Sequence, residues 1–319
     1  MVEPIKLKVA SARMVTDAVR ELVFVPGDGD RLAGYTPGAH VKLQLPVGER
    51  SYSLIDFEPV SENAGIGRYR FAVQLEAQSA GGSRFMHELA SGDEVAVSPP
   101  GNDFPLQLNK PALLIAGGIG INPLISMATA LKHEGTPFRF HYAGRTRAKM
   151  AYRDELEQAF GGELTLHFDD QPETALNIAG LAASVDADEH VYVCGPKGMI
   201  EAVKSAMGAA GIAADHIHFE LFTSAAEESG DRSFEVEVHA TGEVFTVPPG
   251  KTIIDVLEAG GVDLIHDCLR GDCGICRTDV IEGVPDHRDV VLSDSEKAEG
   301  KVMQICVSRA KSARLVLDL

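Results

Sequence analysis

Apolar and polar residues alternate at Val41, Leu43 and Leu45, just after Pro37-Gly38, and again at Tyr69, Phe71, Val73 and Leu75. A period of two punctuated by Gly and Pro predicts antiparallel strands, so residues 1–107 read as a β-rich module, an open sheet or a small barrel. The pattern changes near residue 110. Residues 112–116 are an unbroken apolar run, then a glycine-rich turn, then Leu124, Met127, Ala128 and Leu131 at helical spacing. Further short apolar runs at 138–143, 164–168, 190–194 and 217–221 are separated by helical stretches such as 199–207. Strands alternating with helices predict a parallel, doubly wound sheet over residues 108–222. Residues 223–232 are small, polar and aperiodic, as in an interdomain linker. Beyond them Phe234, Val236 and Val238 alternate, and 244–247 can close a hairpin. Thr252-x-x-Asp255 has the form of a helix capping box ahead of Ile253, Ile254 and Leu257. Residues 233–319 thus make a third, compact domain.

Composition narrows the function classes. The chain has 319 residues, 45% apolar and 24% charged, the make-up of globular protein with two or three domains. Its formal net charge of −18 argues against nucleic acid and anionic membrane surfaces as partners. No apolar run approaches the roughly 20 residues of a membrane span. The N-terminus lacks a basic-then-apolar leader, so the expected compartment is the cytoplasm. From Asp231 to Leu319 there are 17 acidic and 10 basic residues. That excess can steer the domain toward a basic acceptor surface, or simply keep it soluble.

The candidate chemistry begins with cysteine. Cys268, Cys273 and Cys276 stand in a C-x4-C-x2-C run, and Cys306 follows after 29 intervening residues. This is the plant-type spacing for four thiolates around a [2Fe–2S] cluster, a one-electron carrier. Structural zinc favours two closely spaced pairs, which this pattern lacks. Five cysteines in a chain without a leader also disfavour disulfides. Gly271 and Gly274 lie between the ligands, where backbone N–H groups must turn toward inorganic sulfide and a Cβ would obstruct them.

Two further sites are suggested by weaker motifs that reinforce each other. In Arg50-Ser51-Tyr52-Ser53-Leu54 the Arg can grip a phosphate, the Tyr can stack on a planar ring and a hydroxyl can reach a ring nitrogen. An exposed Arg and an ordinary strand Tyr would look the same. Gly81-Gly82-Ser83 leads into a predicted helix whose free N–H groups suit a phosphate, though a tight turn would also explain it. The pair, about 30 residues apart in one β-rich module, favours a flavin phosphate. Gly117-Gly118-Ile119-Gly120-Ile121-Asn122-Pro123 joins strand to helix where a dinucleotide pyrophosphate docks. It has Pro123 where G-x-G-x-x-G has its third glycine, and proline suits a first helical turn. Cys194-Gly195-Pro196-Lys197-Gly198-Met199 repeats the strand-to-helix turn, and two such turns at strand ends make a ligand crevice. Cys194 by itself reads equally as a buried strand cysteine.

Taken in order, these motifs, with Pro285-Asp-His-Arg-Asp289 and Cys306-Val-Ser-Arg309, resemble the phthalate dioxygenase reductase and vanillate O-demethylase reductase family. The resemblance implies an antiparallel flavin-binding β-barrel, a doubly wound NAD domain and a C-terminal β-grasp-like [2Fe–2S] ferredoxin domain. It implies FMN, with FAD as the alternative, held by Arg50, Ser51, Tyr52 and Ser53, with Gly81, Gly82 and Ser83 at its phosphate. Gly117, Gly118, Gly120 and Pro123 would face the NADH pyrophosphate, and Cys194, Gly195 and Pro196 the nicotinamide. Phe222 would be the aromatic that shields the flavin until nicotinamide displaces it. The resemblance also makes Asn122 a cofactor contact, to flavin or nicotinamide, where relatives often carry Ser or Thr, and Gly101 stands where they commonly have Arg. Arg145 and Arg147 follow the second strand of the nucleotide domain, where an Arg can meet a 2′-phosphate, the diphosphate or only solvent; NADH is expected on resemblance. The family would make this chain a monomeric reductase passing NADH electrons through flavin and cluster to a separate oxygenase component, of the Rieske type or a demethylase. A reductase for another acceptor, a free-standing flavin reductase and a ferredoxin-like carrier with a vestigial flavin domain are the alternatives.

Overall fold

The structure, a computed structural model, describes residues 4–27, 31–76, 81–222 and 230–319. The chain divides into two compact units, Met1–Glu220 and Leu221–Leu319. Residues 223–229 of the expected linker lie outside the described residues.

The first unit holds two sheets. β1 (Ile5–Met14), β2 (Val19–Pro26), β3 (His40–Leu45), β4 (Gly48–Ser53), β5 (Tyr69–Gln74) and β6 (Glu94–Val97) pair antiparallel in the order β4-β3-β6-β1-β2-β5. Every second residue points inward. Leu22, Phe24, Val41, Leu43, Tyr69, Phe71 and Val73 are all buried, and each such side chain gains about 1.5–3 kcal/mol by leaving water. The alternation foreseen through Leu75 stops one residue earlier, because the chain leaves the sheet after Gln74 and Leu75 is exposed. β4 and β5 are the two edges of this order. They meet through side chains, with the rings of Tyr52 and Phe71 stacked at 5.8 Å. Helix α1 (Gly82–Glu88) lies between β5 and β6 in sequence.

The second sheet is parallel throughout. β7 (Ala112–Gly117), helix α2 (Ile121–Glu134), β8 (Phe138–Gly144), α3 (Arg153–Phe160), β9 (Leu164–Phe168), α4 (Ile178–Ala182), β10 (His190–Cys194), α5 (Lys197–Ala209) and β11 (Ile217–Glu220) follow one another. The strand order is β11-β10-β7-β8-β9. The direction of winding reverses between β7 and β10, which sets the topological switch point there. Helix α2 is apolar on most of its surface, yet three polar side chains on it are also buried. Asn122 Nδ2 donates to the Ala72 carbonyl at 2.8 Å, Ser126 Oγ to Leu54 at 2.8 Å and Thr129 Oγ1 to Asp56 at 3.0 Å. Spaced i, i+4, i+7, they form one stripe that pins the helix to β5 and to the chain leaving β4.

The flanks of this sheet carry paired histidines. His141 Nδ1 lies 2.9 Å from His167 Nε2, and His190 Nδ1 lies 2.9 Å from His218 Nε2, with His216 stacked on His190. Burial, then the neighbouring histidine, lowers His141 and His218 to about 4. These groups are held neutral in the fold, while in the unfolded chain they take up protons near pH 6.5. Their stabilising contribution is therefore complete above pH 6.5 and is lost as the pH falls from 6.5 toward 4. Partial exposure reduces it to about 1 kcal/mol per pair. Thermal unfolding scans should show the wild-type Tm falling a few degrees further between pH 7.5 and 5 than in a His141→Asn/His218→Asn protein. Equal slopes in the two proteins would refute the assignment.

In the second unit β12 (Phe234–Val238), β13 (Val244–Val247), helix α6 (Ile253–Ala259), β14 (Arg277–Glu282), β15 (Pro285–Asp286), helix α7 (Asp294–Glu299), β16 (Val302–Gln304), β17 (Arg309–Ala310) and β18 (Arg314–Leu317) follow in order. Five strands make a mixed sheet, β13-β12-β18-β14-β16, in which β12 and β18 are parallel. The 234–247 hairpin forms with Phe234 opposite Val247. The Thr252–Asp255 capping box is present with both of its hydrogen bonds, and Ser293–Glu296 forms a second. Ile253, Ile254 and Leu257 of α6 pack on Val236, Val247 and Leu315 of the sheet in one core. Among the described residues, no helix is long and apolar enough to cross a membrane.

Candidate functional site

The cysteine loop of the second unit is built from glycine turns and buried pins. Gly271 and Gly274 both have φ near +80°, the left-handed region that favours glycine. A Cβ on Gly271 would also stand 2.6 Å from Val307 and 3.2 Å from the backbone of Asp289. Asp289 is itself fully buried, and its Oδ2 accepts the amides of Val291 and Leu292. The Val290 amide closes onto the Gly271 carbonyl at 3.0 Å. The 285–292 segment thus braces the loop from outside.

The three loop thiols and Cys306 form a connected series. Cys268 is linked to Cys273 and to Cys306, and Cys306 to Cys276. Hydrogen bonds from Cys273 and Cys306 push the Cys268 thiol down, and the one from Cys306 pushes Cys276 down. Cys273 and Cys306, the donors of those bonds, are pushed up, burial adding to the effect. Backbone amides turn toward sulfur, as with Arg270 N to Cys268 Sγ at 3.3 Å. Cys276 Sγ also meets Gln304 Oε1 at 3.3 Å. Among the described residues no group of three or more His, Cys, Asp or Glu side chains is spaced to hold a single metal ion. Four soft donors in linked pairs, with inward amides, fit a two-iron cluster, in which each iron takes two thiolates.

Asp272, between Gly271 and Cys273, is a residue that sequence reasoning passed over. Its side chain is 5% exposed. Oδ2 accepts the Leu221 amide at 2.7 Å and lies 3.5 Å from Arg270 Nε, and the carboxyl is also within reach of the Cys268 sulfur. Burial raises it to about 7, with Arg270 opposing. Phe222, the next residue after Leu221, is half-buried.

In the first unit the two β-rich motifs come together. A Cβ on Gly82 would lie 3.2 Å from Arg50 Cγ, so the glycine turn and the arginine are side by side despite their separation in sequence. Gly81 has φ 102° and Ser83 Oγ accepts the Glu76 amide, which fixes the turn at the start of α1. Arg50 Nη1 donates to the Glu49 carbonyl at 2.7 Å. Ser53 is buried and Ser51 half-buried, while burial pushes the Tyr52 hydroxyl up to about 12. All four motif residues lie on β4, an edge strand, where the backbone is available to a ligand. The cradle fits a phosphate-bearing planar cofactor.

The nucleotide turns interlock at the switch point. Any Cβ on Gly120 would sit 2.1 Å from the Cys194 carbonyl, and Gly117 and Gly195 approach within 3.0–3.3 Å of each other's Cβ positions. Only glycine permits that approach. Gly118, at φ 54°, has nothing within 4 Å of its Cβ position and faces open space. Cys194 is fully buried at the end of β10, and Pro196 caps α5. Pro123 and Asn122 are buried in the first turn of α2. Asn122 spends its Nδ2 on Ala72, and its buried Oδ1 has no hydrogen-bond partner among the described residues. Arg145 is exposed just beyond β8, and Arg147 is drawn aside over the Phe168 ring at 5.4 Å, with Glu157 3.6 Å away. The amides of Asp169 and Asp170 donate to the carbonyls of Gly144 and Arg145, bringing two acidic residues to the end of β8. No sequence motif had marked them.

Comparison with known proteins agrees with this geometry. Residues 236–311 match the 2Fe-2S iron-sulfur cluster binding domain, and residues 114–205 match the oxidoreductase NAD-binding domain. The chain is 34% identical to phthalate dioxygenase reductase of solved structure, with a TM-score of 0.76, covering 99% of this chain and 98% of that one. The chain belongs to the phthalate dioxygenase reductase family. Members of similar length include the phenoxybenzoate dioxygenase subunit beta of Ectopseudomonas oleovorans, 40% identical over 99% of this chain and 98% of that one. Tetrachlorobenzoquinone reductase of Sphingobium chlorophenolicum is likewise 40% identical, over 100% and 99%. Family membership makes the chain an oxidoreductase with NAD-binding and [2Fe–2S]-binding domains.

Proposed function

We propose that this protein is an NADH-dependent reductase that takes two electrons from NADH and hands them singly, through FMN and the [2Fe–2S] cluster, to a separate oxygenase component. The observation that carries the reading is the linked set of four thiols under inward-turned amides, in one chain with the interlocked glycine turns of a dinucleotide site. The dioxygenase systems named for its relatives support an oxygenase as acceptor, of the Rieske type or a demethylase. Flavin and cluster, when bound, supply the conversion between two-electron and one-electron chemistry.

The protein's own contribution is placement. Arg50, Ser51, Tyr52 and Ser53 would hold the flavin, with Gly81, Gly82 and Ser83 around its phosphate. Gly117, Gly118, Gly120 and Pro123 would receive the pyrophosphate, and Cys194, Gly195 and Pro196 would border the nicotinamide. The unpartnered Asn122 Oδ1 is available to a ring donor, and Phe222 would cover the flavin face until NADH arrives. Domain limits of 1–107, 108–222 and 233–319, joined by a linker at 223–232, go with these roles, as do a monomer and a cytoplasmic setting. Holding both redox partners in one polypeptide raises their effective concentration.

A second reading, direct reduction of a small quinone, is favoured by the quinone reductase relative. Anaerobic titration with NADH, followed in the visible spectrum, tests the main reading. Flavin and cluster should both bleach, with about two irons per chain. Protein without iron or flavin would overturn it. Quinone turnover undiminished after the cluster is removed would favour the second.

A further inference from the structure

Asp272 occupies an unusual position for a carboxylate. It stands directly before Cys273 and is nearly out of water. An ionised carboxylate in such a place is unfavourable unless its neighbours compensate. Two neighbours do so: the Leu221 amide at 2.7 Å and Arg270 Nε at 3.5 Å. The third neighbour is the sulfur of Cys268. Among the described residues, Oδ1 has no hydrogen-bond donor. Arg270 is held on the same side of the loop, and its own amide is turned to Cys268 Sγ. The carboxylate therefore joins the point where the chain enters the second unit to a residue that ligates iron on the reading above.

We propose that Asp272 is a positioning residue with two linked effects. Its carboxylate clasps the Leu221 amide, fixing the Leu221–Phe222 segment to the cysteine loop, and it holds negative charge against Cys268, lowering the reduction potential of the cluster. The physical basis is that adding an electron next to a fixed anion is disfavoured, and cluster potentials follow net local charge and hydrogen bonding. A purely structural aspartate would be replaceable by asparagine, which accepts the same amide bond with nearly the same shape. A charge that sets the potential would not. The proposal rests on the cluster being ligated by Cys268.

The experiment uses full-length, iron-loaded protein. The midpoint potential of the cluster is measured by spectroelectrochemical titration in wild type, Asp272→Asn and Asp272→Glu. The Asn protein should be shifted to a more positive potential and the Glu protein should return to the wild-type value. Hydrogen exchange of the peptide ending at Leu221–Phe222 should be little changed in the Asn protein and faster at one amide by about tenfold in Asp272→Ala, the loss of one hydrogen bond to a charged acceptor. An Asn protein with full iron and an unmoved potential overturns the electrostatic effect. Unchanged exchange in Asp272→Ala overturns the clasp. Should the Asn protein fail to load iron, Asp272→Ser is compared with Asp272→Glu on the same criteria. Wild type that holds no iron would instead defeat the functional reading itself, so the two failures are told apart.

Discussion

Replacing Cys273 by serine is expected to end electron delivery to the acceptor while NADH still bleaches the flavin. Serine is close to cysteine in volume, and Cys273 is only half-buried on a loop, so the fold of the second unit should survive. What changes is the donor. A hydroxyl stays protonated where a thiol gives up its proton, and it is a hard ligand for a site that selects soft ones. Iron content and the visible bands of the cluster should fall, and acceptor reduction should drop by about 100-fold or more, at or beyond the upper end seen for disturbed metal sites. The rate of flavin bleaching by NADH in a stopped-flow mixer should stay within about twofold, because the residues proposed to hold the flavin and the pyrophosphate lie in the other compact unit. Cys194→Ser serves as the control, since Cys194 is buried in β10 and should leave the iron in place. A Cys273→Ser protein with full iron and normal acceptor reduction would remove Cys273 from the ligand set. Retained acceptor reduction without iron would remove the cluster from the route altogether.

The sequence made the periodic parts of this molecule legible because burial acts on every second or every third to fourth residue, wherever the strand or helix ends up. The runs at 164–168 and 190–194 became strands with those limits, and Thr252-x-x-Asp255 became a capping box because its two hydrogen bonds are local. The glycine motifs were legible for a related reason, since a close approach leaves no choice of side chain. Long-range polar pairing left no such trace. The carbonyls taken by Asn122, Ser126 and Thr129 are 50, 72 and 73 residues away. Leu124, Met127, Ala128 and Leu131 could be read as buried, but nothing local says that polar residues between them are buried too. The resemblance implies a cofactor contact for Asn122, while its Nδ2 is committed to the Ala72 carbonyl of β5. Asp272 escaped notice because its partner, the Leu221 amide, is 51 residues upstream in the chain and carries no side-chain signature.

The same limitation hid the groups that should decide between NADH and NADPH. In doubly wound folds an acidic residue about 20 residues after the glycine turn hydrogen-bonds the ribose 2′-hydroxyl, whereas an arginine accommodates a 2′-phosphate. Here the end of β8 offers Gly144, Arg145, Thr146 and Arg147, which taken alone would suit the phosphate. The fold changes that balance. Arg147 is occupied by Phe168 and Glu157, and the backbone hydrogen bonds from Asp169 and Asp170 to the Gly144 and Arg145 carbonyls set two acidic residues, just past β9, beside the same turn. A 2′-phosphate brought there meets like charge, while a 2′-hydroxyl finds an acceptor. Wild type should therefore favour NADH, and Asp169→Ser/Asp170→Arg should raise the NADPH-to-NADH ratio of kcat/KM. Removing two anions and adding a cation at an exposed site amounts to about 1 kcal/mol each, or about 100-fold in the ratio. Because both positions are exposed, the gain should shrink as ionic strength rises. A ratio that ignores both the substitutions and the salt would mean that the ribose is read elsewhere, with Arg145 the next residue to change.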